Sequence, residues 1–475
     1  MLEKKEFYIN GQWVAPAVAN DYAVINPSTE EQCAVISLGG QADTDAAVAA
    51  ARAAFDSWSQ TSKEERTRLI EKLKEVYIAR QEEMAQAMSQ EMGAPIDLSR
   101  AQQVGAGSWH IDGFLKAFED FSFERDFTAT EKTLLEPIGV CALITPWNWP
   151  MNQIILKAIP AMATGCTVIL KPSEIAPLSG ILFAEFVHEA GFPAGVFNLV
   201  NGDGPGVGSQ LSSHPEVDMV SFTGSTRAGI AISKAAADTL KRVSLELGGK
   251  GANVIFEDAH PKAAKAGAIR CFRNSGQSCN APTRMLVHKS RYDEAVEMAA
   301  DVANNTHVGP ASEEGKHIGP VVSEAQFNKI QGLIEKGMSE ARLVAGGLGR
   351  PDGLNRGYYV KPTVFADVTN DMTIAQEEVF GPVLSIIPFE TEEEAIAIAN
   401  DTPYGLTNYI QTEDTEKRRR VARRLRSGMV ETNGQGFAMG SPFGGYKQSG
   451  NGREGGVFGL EEFLEIKAVS GWAAE

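Results

Sequence analysis

Gly276-Gln277-Ser278-Cys279-Asn280 sets one cysteine in a short polar segment opened by a glycine. A cysteine among Val, Leu and Ile behaves as a small hydrophobe; one in these surroundings is expected to be reachable. A nucleophilic thiol needs that access, and surroundings that favour its thiolate. Glu246, in Val243-Ser244-Leu245-Glu246-Leu247-Gly248-Gly249-Lys250, ends an apolar run and precedes two glycines. It is expected to face a cleft, where a carboxylate can act as general base toward water; the plainer alternative is an ion pair with Lys250. Asn148 stands in Thr145-Pro146-Trp147-Asn148-Trp149-Pro150. Its carboxamide is a neutral donor suited to a developing oxyanion, or else a cap for the next turn.

Other groups suit a phosphate-bearing ligand. Thr223-Gly224-Ser225-Thr226-Arg227-Ala228-Gly229 opens a helix through a glycine, and backbone N–H groups at a helix N-terminus bind anions. The spacing is not GxGxxG. Lys171-Pro172-Ser173-Glu174 offers a cation and a carboxylate for ribose hydroxyls, and the carboxylate would repel a 2′-phosphate; a solvated turn is the alternative. Glu378-Val379-Phe380-Gly381-Pro382 adds a carboxylate and an aromatic before a turn, and Pro442-Phe443-Gly444-Gly445-Tyr446-Lys447 a glycine-rich loop.

Most of these groups follow short apolar runs. Val140–Ile144, Thr167–Leu170, Val196–Val200 and Met219–Phe222 are too short for helices and are bounded by turn residues. Helical segments such as 179–188 lie between them. Strand–helix alternation predicts parallel sheet covered by helices, the α/β class, with ligands outside the carboxyl ends of the strands. Phe7-Tyr8-Ile9 and Gln12-Trp13-Val14 flank Asn10-Gly11 as a tight hairpin. Ser62-Lys63-Glu64-Glu65 reads as a capping box. A second α/β stretch begins near Gly251, and Leu460–Val469 ends in an amphipathic run suited to a partner sheet.

The 475 residues exceed what one core usually supports. A net charge of −17 argues against nucleic acid or an anionic membrane as partner. Five cysteines without CxxC spacing read as reduced thiols in a cytoplasmic protein. Seven histidines show no ligand spacing, so no metal is expected. The charged N-terminal run has no apolar leader, and no uninterrupted apolar stretch is long enough to span a bilayer.

Taken in order, seven of these motifs resemble the aldehyde dehydrogenase superfamily. They are Pro146–Pro150, Lys171–Glu174, Phe222–Ser225, Leu245–Lys250, Gly276–Cys279, Glu378–Pro382 and Pro442–Lys447. The resemblance implies a Rossmann-type NAD-binding domain (1–119 and 138–248), an α/β catalytic domain (249–448), and a small β oligomerisation element with the C-terminal tail (120–137 and 449–475). It also implies a homodimer or homotetramer. It makes Cys279 the nucleophile, Asn148 the oxyanion donor, Glu246 the base and Glu454 a proton relay. Trp147, Lys171, Ser173, Glu174, Gly224, Ser225, Gly248, Glu378 and Phe380 become cofactor contacts, with NAD preferred over NADP. Gln153, Leu156, Phe437 and Phe443 become the substrate tunnel, in which Leu156 replaces a frequent aromatic. Relatives that transfer the acyl group to coenzyme A generally lack the glutamate at the position of Glu246, so hydrolysis to the acid is expected. An acyl-group reductase and a non-catalytic binding protein on the same fold are the alternatives.

Overall fold

The computed structural model describes residues 2–472; Met1 of the charged N-terminal run and residues 473–475 lie outside it. The apolar runs are strands: β1 (Val140–Ile144), β2 (Thr167–Lys171), β3 (Phe197–Leu199), β4 (Met219–Thr223) and β5 (Arg242–Glu246). They run parallel in the order β5-β4-β1-β2-β3. Every residue of β1 and β2 is buried, as expected of strands with helices on both faces. The Phe7–Ile9 and Gln12–Val14 hairpin extends one edge, with positive φ at Asn10 and Gly11. At the other edge, Gly450–Asn451 pairs antiparallel with β5. Part of the segment from 449 onward therefore completes this sheet.

A second sheet holds β6 (Ala252–Ile255), β7 (Arg284–His288), β8 (Arg342–Ala345), β9 (Thr363–Ala366), β10 (Val383–Phe389), β11 (Thr407–Gln411) and β12 (Met429–Thr432). Its order is β8-β9-β10-β7-β6-β11-β12, parallel except for the β8–β9 pair. A third sheet joins Glu124–Asp126, Glu131–Pro137 and Leu464–Ser470, all antiparallel. Ile466 on its outer strand is 74% exposed.

Four helices matter for the site. α1 (Pro150–Thr164) starts with proline in its first turn, where the missing N–H costs nothing. α2 (Leu178–Ala190) ends at left-handed Gly191. α3 (Thr226–Ala237) is capped by Ser225, whose side chain accepts from Ala228 N. α4 (Ala263–Phe272) leads into the cysteine turn. The predicted capping box is half realised: Ser62 Oγ accepts from Glu65 N at 3.1 Å.

The start of α2 is held from outside. Glu91, in the helix Gln81–Met92, accepts from Leu178 N and from Ser179 N at 3.0 Å, two donors that the helix itself cannot satisfy. Burial pushes this carboxyl up to about 7, against the pull of those hydrogen bonds. A raised carboxyl binds its proton more tightly in the folded state. The stability it contributes is full below the unfolded value near 4.5 and is lost as pH rises through 7. Glu91→Gln should therefore flatten the decline in stability between pH 5 and pH 8, by about 3 kcal/mol at most. Urea unfolding of both proteins at the two pH values measures this; parallel pH slopes would refute it.

Candidate active site

The motifs at the strand ends gather in one cleft. A cavity of ≈ 210 Å³ is lined by Trp147 and Asn148 after β1, Gly224 and Ser225 after β4, Gly248 after β5, and Cys279, Glu378 and Phe380. Eight expected site residues thus share one wall, outside the carboxyl ends of the parallel strands.

The cysteine sits on an unusual turn. Asn274, Ser275 and Gly276 have φ of +52°, +57° and +73°. Two consecutive non-glycine residues in the left-handed region cost roughly 1–2 kcal/mol each and persist only where surroundings impose them. Here Asn274 Nδ2 donates to Asn148 O (3.0 Å), Ser275 Oγ to Gly319 O (2.7 Å), and Gln277 Oε1 accepts from Val322 N (2.9 Å). Gly276 is also required by space, since a Cβ there would lie 2.0 Å from Gly381 O. Trp149 Nε1 donates to Ser278 Oγ at 2.8 Å.

Asn148 does not cap the next helix; Trp149 holds that position. Its Nδ2 donates to Gln277 O at 3.1 Å, which aims the carboxamide at the cysteine turn. A carboxamide nitrogen carries two hydrogens, so one remains for an oxygen beside Cys279.

The surroundings of the cysteine do not by themselves favour its thiolate. Cys279 keeps partial surface exposure, yet its sulfur is crowded by protein. Burial, with Glu378 and Glu246 nearby, pushes the thiol well above its ordinary value, and the backbone N–H groups of Asn280 and Cys279 only partly oppose this. The resting group is the thiol, so a base must take its proton.

Glu246 does not pair with Lys250. Both its carboxylate oxygens are buried without a hydrogen-bond partner among the described residues, and so is Lys250 Nζ. Burial and the neighbouring Glu454 push the Glu246 carboxyl well above its usual range, against Lys157 and Arg453. Burial and the nearby Arg284 bring Lys250 down to about 7. Glu246 lies outside the cavity lining but within electrostatic reach of Cys279. Gly444 leaves it room, because a Cβ there would approach Glu246 Oε1 to 2.7 Å. Glu454, 4% exposed, is ion-paired through Oε1 to Lys157, while its Oε2 has no partner among the described residues.

The remaining expected residues lie outside that cavity. Lys171 is buried, donating to Pro172 O (2.9 Å) and Gly202 O (2.5 Å), with Glu174 at 3.6 Å. Ser173 Oγ accepts from Ile175 N. Gln153 and Leu156 are buried on α1, and Gln153 Oε1 is unpartnered among the described residues. Phe437 is 41% exposed, and Phe443 exchanges two backbone hydrogen bonds of 2.8 Å with Glu454.

Three side chains at the site escaped sequence reasoning. Lys157 is the partner of Glu454; its signal was a lysine inside the otherwise apolar run Ile154–Ala163. Gln326 and Lys329 line the cavity and donate to Phe380 O (2.8 Å) and Glu378 O (3.1 Å). They brace a turn in which Phe380 has φ +57°. No spacing rule points to them. Among the described residues no group of three His, Cys, Asp or Glu could hold a metal, and no helix is long and apolar enough to cross a membrane.

The cleft fits a dinucleotide. The capped N-terminus of α3 faces it, Phe380 meets Trp147 edge-on at 5.4 Å, and Thr223 Oγ1 on its wall has no partner among the described residues. An anion site, an aromatic wall and an unsatisfied hydroxyl are what a phosphate-linked ring compound needs.

Comparison with known proteins agrees with this geometry. The profile of the aldehyde dehydrogenase family matches residues 13–469. A 3-succinoylsemialdehyde-pyridine dehydrogenase of a Pseudomonas species is 52% identical over 475 residues, covering 99% of each chain. Among solved structures, an aldehyde dehydrogenase of Bartonella henselae is 58% identical with a TM-score of 0.99, covering 99% of this chain and 100% of the other. A variant of aldehyde dehydrogenase C from Pseudomonas syringae, in complex with NAD+ and octanal, is 50% identical with a TM-score of 0.98, covering 99% and 97%.

Proposed function

The chain belongs to the aldehyde dehydrogenase family and oxidises an aldehyde with NAD; from that premise we propose that Cys279 forms the acyl-enzyme and Glu246 drives its hydrolysis to the carboxylic acid. The observation that carries this reading is Glu246 itself. It is a buried carboxyl with two unsatisfied oxygens, within electrostatic reach of the thiol, and so both oxygens are free to accept from a water.

Each residue then has a task. The Cys279 thiol passes its proton to solvent, and its sulfur adds to the aldehyde carbonyl. The free N–H of Asn148, with the Cys279 backbone N–H, takes up the charge on the oxygen. NAD, when bound, supplies the hydride acceptor that turns this adduct into a thioester. Lys171, Ser173, Glu174, Gly224, Ser225 and Gly248 hold its phosphates and adenine-side ribose, and Glu378, Phe380 and Trp147 its nicotinamide side. Glu174 favours NAD over NADP. Glu246, once deprotonated, takes a proton from water at the thioester, and Glu454, tied to Lys157, passes it outward.

Residues 1–119 and 138–248 form the cofactor domain in this reading, and 249–448 the catalytic domain. Residues 120–137 with the strand Leu464–Ser470 form an element that pairs protomers into a dimer or tetramer, as the exposed Ile466 on that outer strand suggests, while Gly450–Asn451 belongs with the first sheet. A cytoplasmic setting agrees with five free cysteines.

The substrate is an aldehyde with an extended apolar or aryl body. Phe437 and Phe443 supply apolar surface, and Leu156 leaves a quaternary amine without one wall of an aromatic cage. The relative named for a pyridine-bearing semialdehyde and the neighbour holding octanal both fit. Octanal, 4-oxo-4-(pyridin-3-yl)butanal and betaine aldehyde, each with NAD and NADP, test this. Betaine aldehyde should show at least about tenfold lower kcat/KM than the other two, and NADP should be the poorer acceptor. Preference for betaine aldehyde would overturn the substrate assignment.

A further inference from the structure

The cysteine turn is gripped from behind by three residues the chemistry above does not use. Tyr409, on β11 and 2% exposed, donates its hydroxyl proton to the carbonyl of Asn280, the residue that follows Cys279. Arg270, in the last turn of α4, lies over the Tyr409 ring at 4.6 Å. The same guanidinium is bidentate to Glu431, with one contact at 2.7 Å. Glu431 is 3% exposed and sits directly beside Tyr409 in the β11–β12 register.

The placement matters because of what lies between the gripped points. Arg270 precedes the left-handed run Asn274–Gly276, and Asn280 follows it. The hydrogen bonds to the carbonyls of Asn148 and Gly319, and from Val322 N to Gln277, hold the run and the residue after it. None of them holds the chain after the sulfur. The Tyr409 hydroxyl does so, and Arg270 holds the same ring on the side that leads in.

We propose that Tyr409 is a positioning residue for the thiol: with Arg270 and Glu431 it brackets the strained turn and fixes where Cys279 points relative to Asn148. The role rests on Cys279 as the nucleophile. It is a task for a neutral hydroxyl that never meets the substrate. A planar guanidinium, bidentate on one side and stacked on the other, suits such a clamp better than a lysine ammonium would.

Tyr409→Phe deletes one hydroxyl and keeps the ring under Arg270. Alkylation of Cys279 by iodoacetamide, followed by mass spectrometry at a series of pH values, should slow about tenfold, and kcat should fall by a similar factor while KM for NAD stays unchanged. Arg270→Met should act through the same contact, so the double variant should be no more than about twofold slower than the worse single variant. Because alkylation reads the thiol directly, the result is informative even if acid formation follows another course. Wild-type alkylation and kcat in Tyr409→Phe would overturn the role. So would fully additive losses, or a fall in kcat that disappears at a temperature where both proteins are equally folded.

Discussion

Cys279→Ala should bind NAD with unchanged affinity and yield no NADH, a fall in kcat of at least ~10⁴-fold. The alanine keeps the backbone N–H, and Asn148 keeps its bond to Gln277 O, so the oxyanion donors and the cofactor cleft survive. What disappears is the only bond by which the acyl group can be held. Cys33 is half-buried, with its thiol pushed up to about 11, chiefly by burial. Cys141, Cys166 and Cys271 are fully buried. None of them can substitute. Stopped-flow NADH formation and cofactor titration measure the two halves of the expectation. Retention of more than about one hundredth of wild-type turnover would remove Cys279 from the mechanism.

Glu246→Gln should separate the two half-reactions. The thioester should form and then persist, giving a burst of one NADH per active site followed by steady turnover slower by ~10²–10⁴-fold. The acyl group should be visible as a mass increment on Cys279. Glutamine fills the same space but cannot accept a proton from water. Burial and Glu454 hold the Glu246 carboxyl well above its ordinary range. The fraction ionised therefore climbs with pH, and the deacylation rate of the native enzyme should climb with it, while that of the glutamine variant stays flat. Turnover without a burst, or acceleration of the native enzyme by coenzyme A, would sink the hydrolytic assignment.

Some of this was readable from residues alone, for physical reasons. Val140–Ile144 and Met219–Phe222 announced buried parallel strands because a strand covered on both faces must be apolar throughout. The groups placed just after them, Asn148 and Gly224–Ser225, had to reach the cleft because the strand ends lead there. The contacts between distant segments were not readable. Glu91 caps a helix 87 residues further along, Lys157 meets Glu454 across 297, and Tyr409 reaches Asn280 across 129. No local pattern encodes such a pairing. The thiol's protonation state was equally hidden. The polar neighbours of Cys279 in sequence pointed only to a reachable thiol, whereas burial and two carboxylates from distant segments, Glu378 before one strand and Glu246 at the end of another, raise it.

The edge strand Gly450–Asn451 has a consequence for how the enzyme comes into being. It docks on β5 through Leu245 N and Asn451 Oδ1, 206 residues apart, and the chain around it supplies Gly444 and Glu454 beside Glu246. A ribosome adding ~5–20 residues per second emits β5 ten seconds or more before that strand. Through that interval the first parallel sheet has an unfinished margin and Glu246 has no chamber. Such a margin is a template for other chains. Nascent-chain stalling after residue 440 should therefore yield a species that recruits chaperones and cannot turn over.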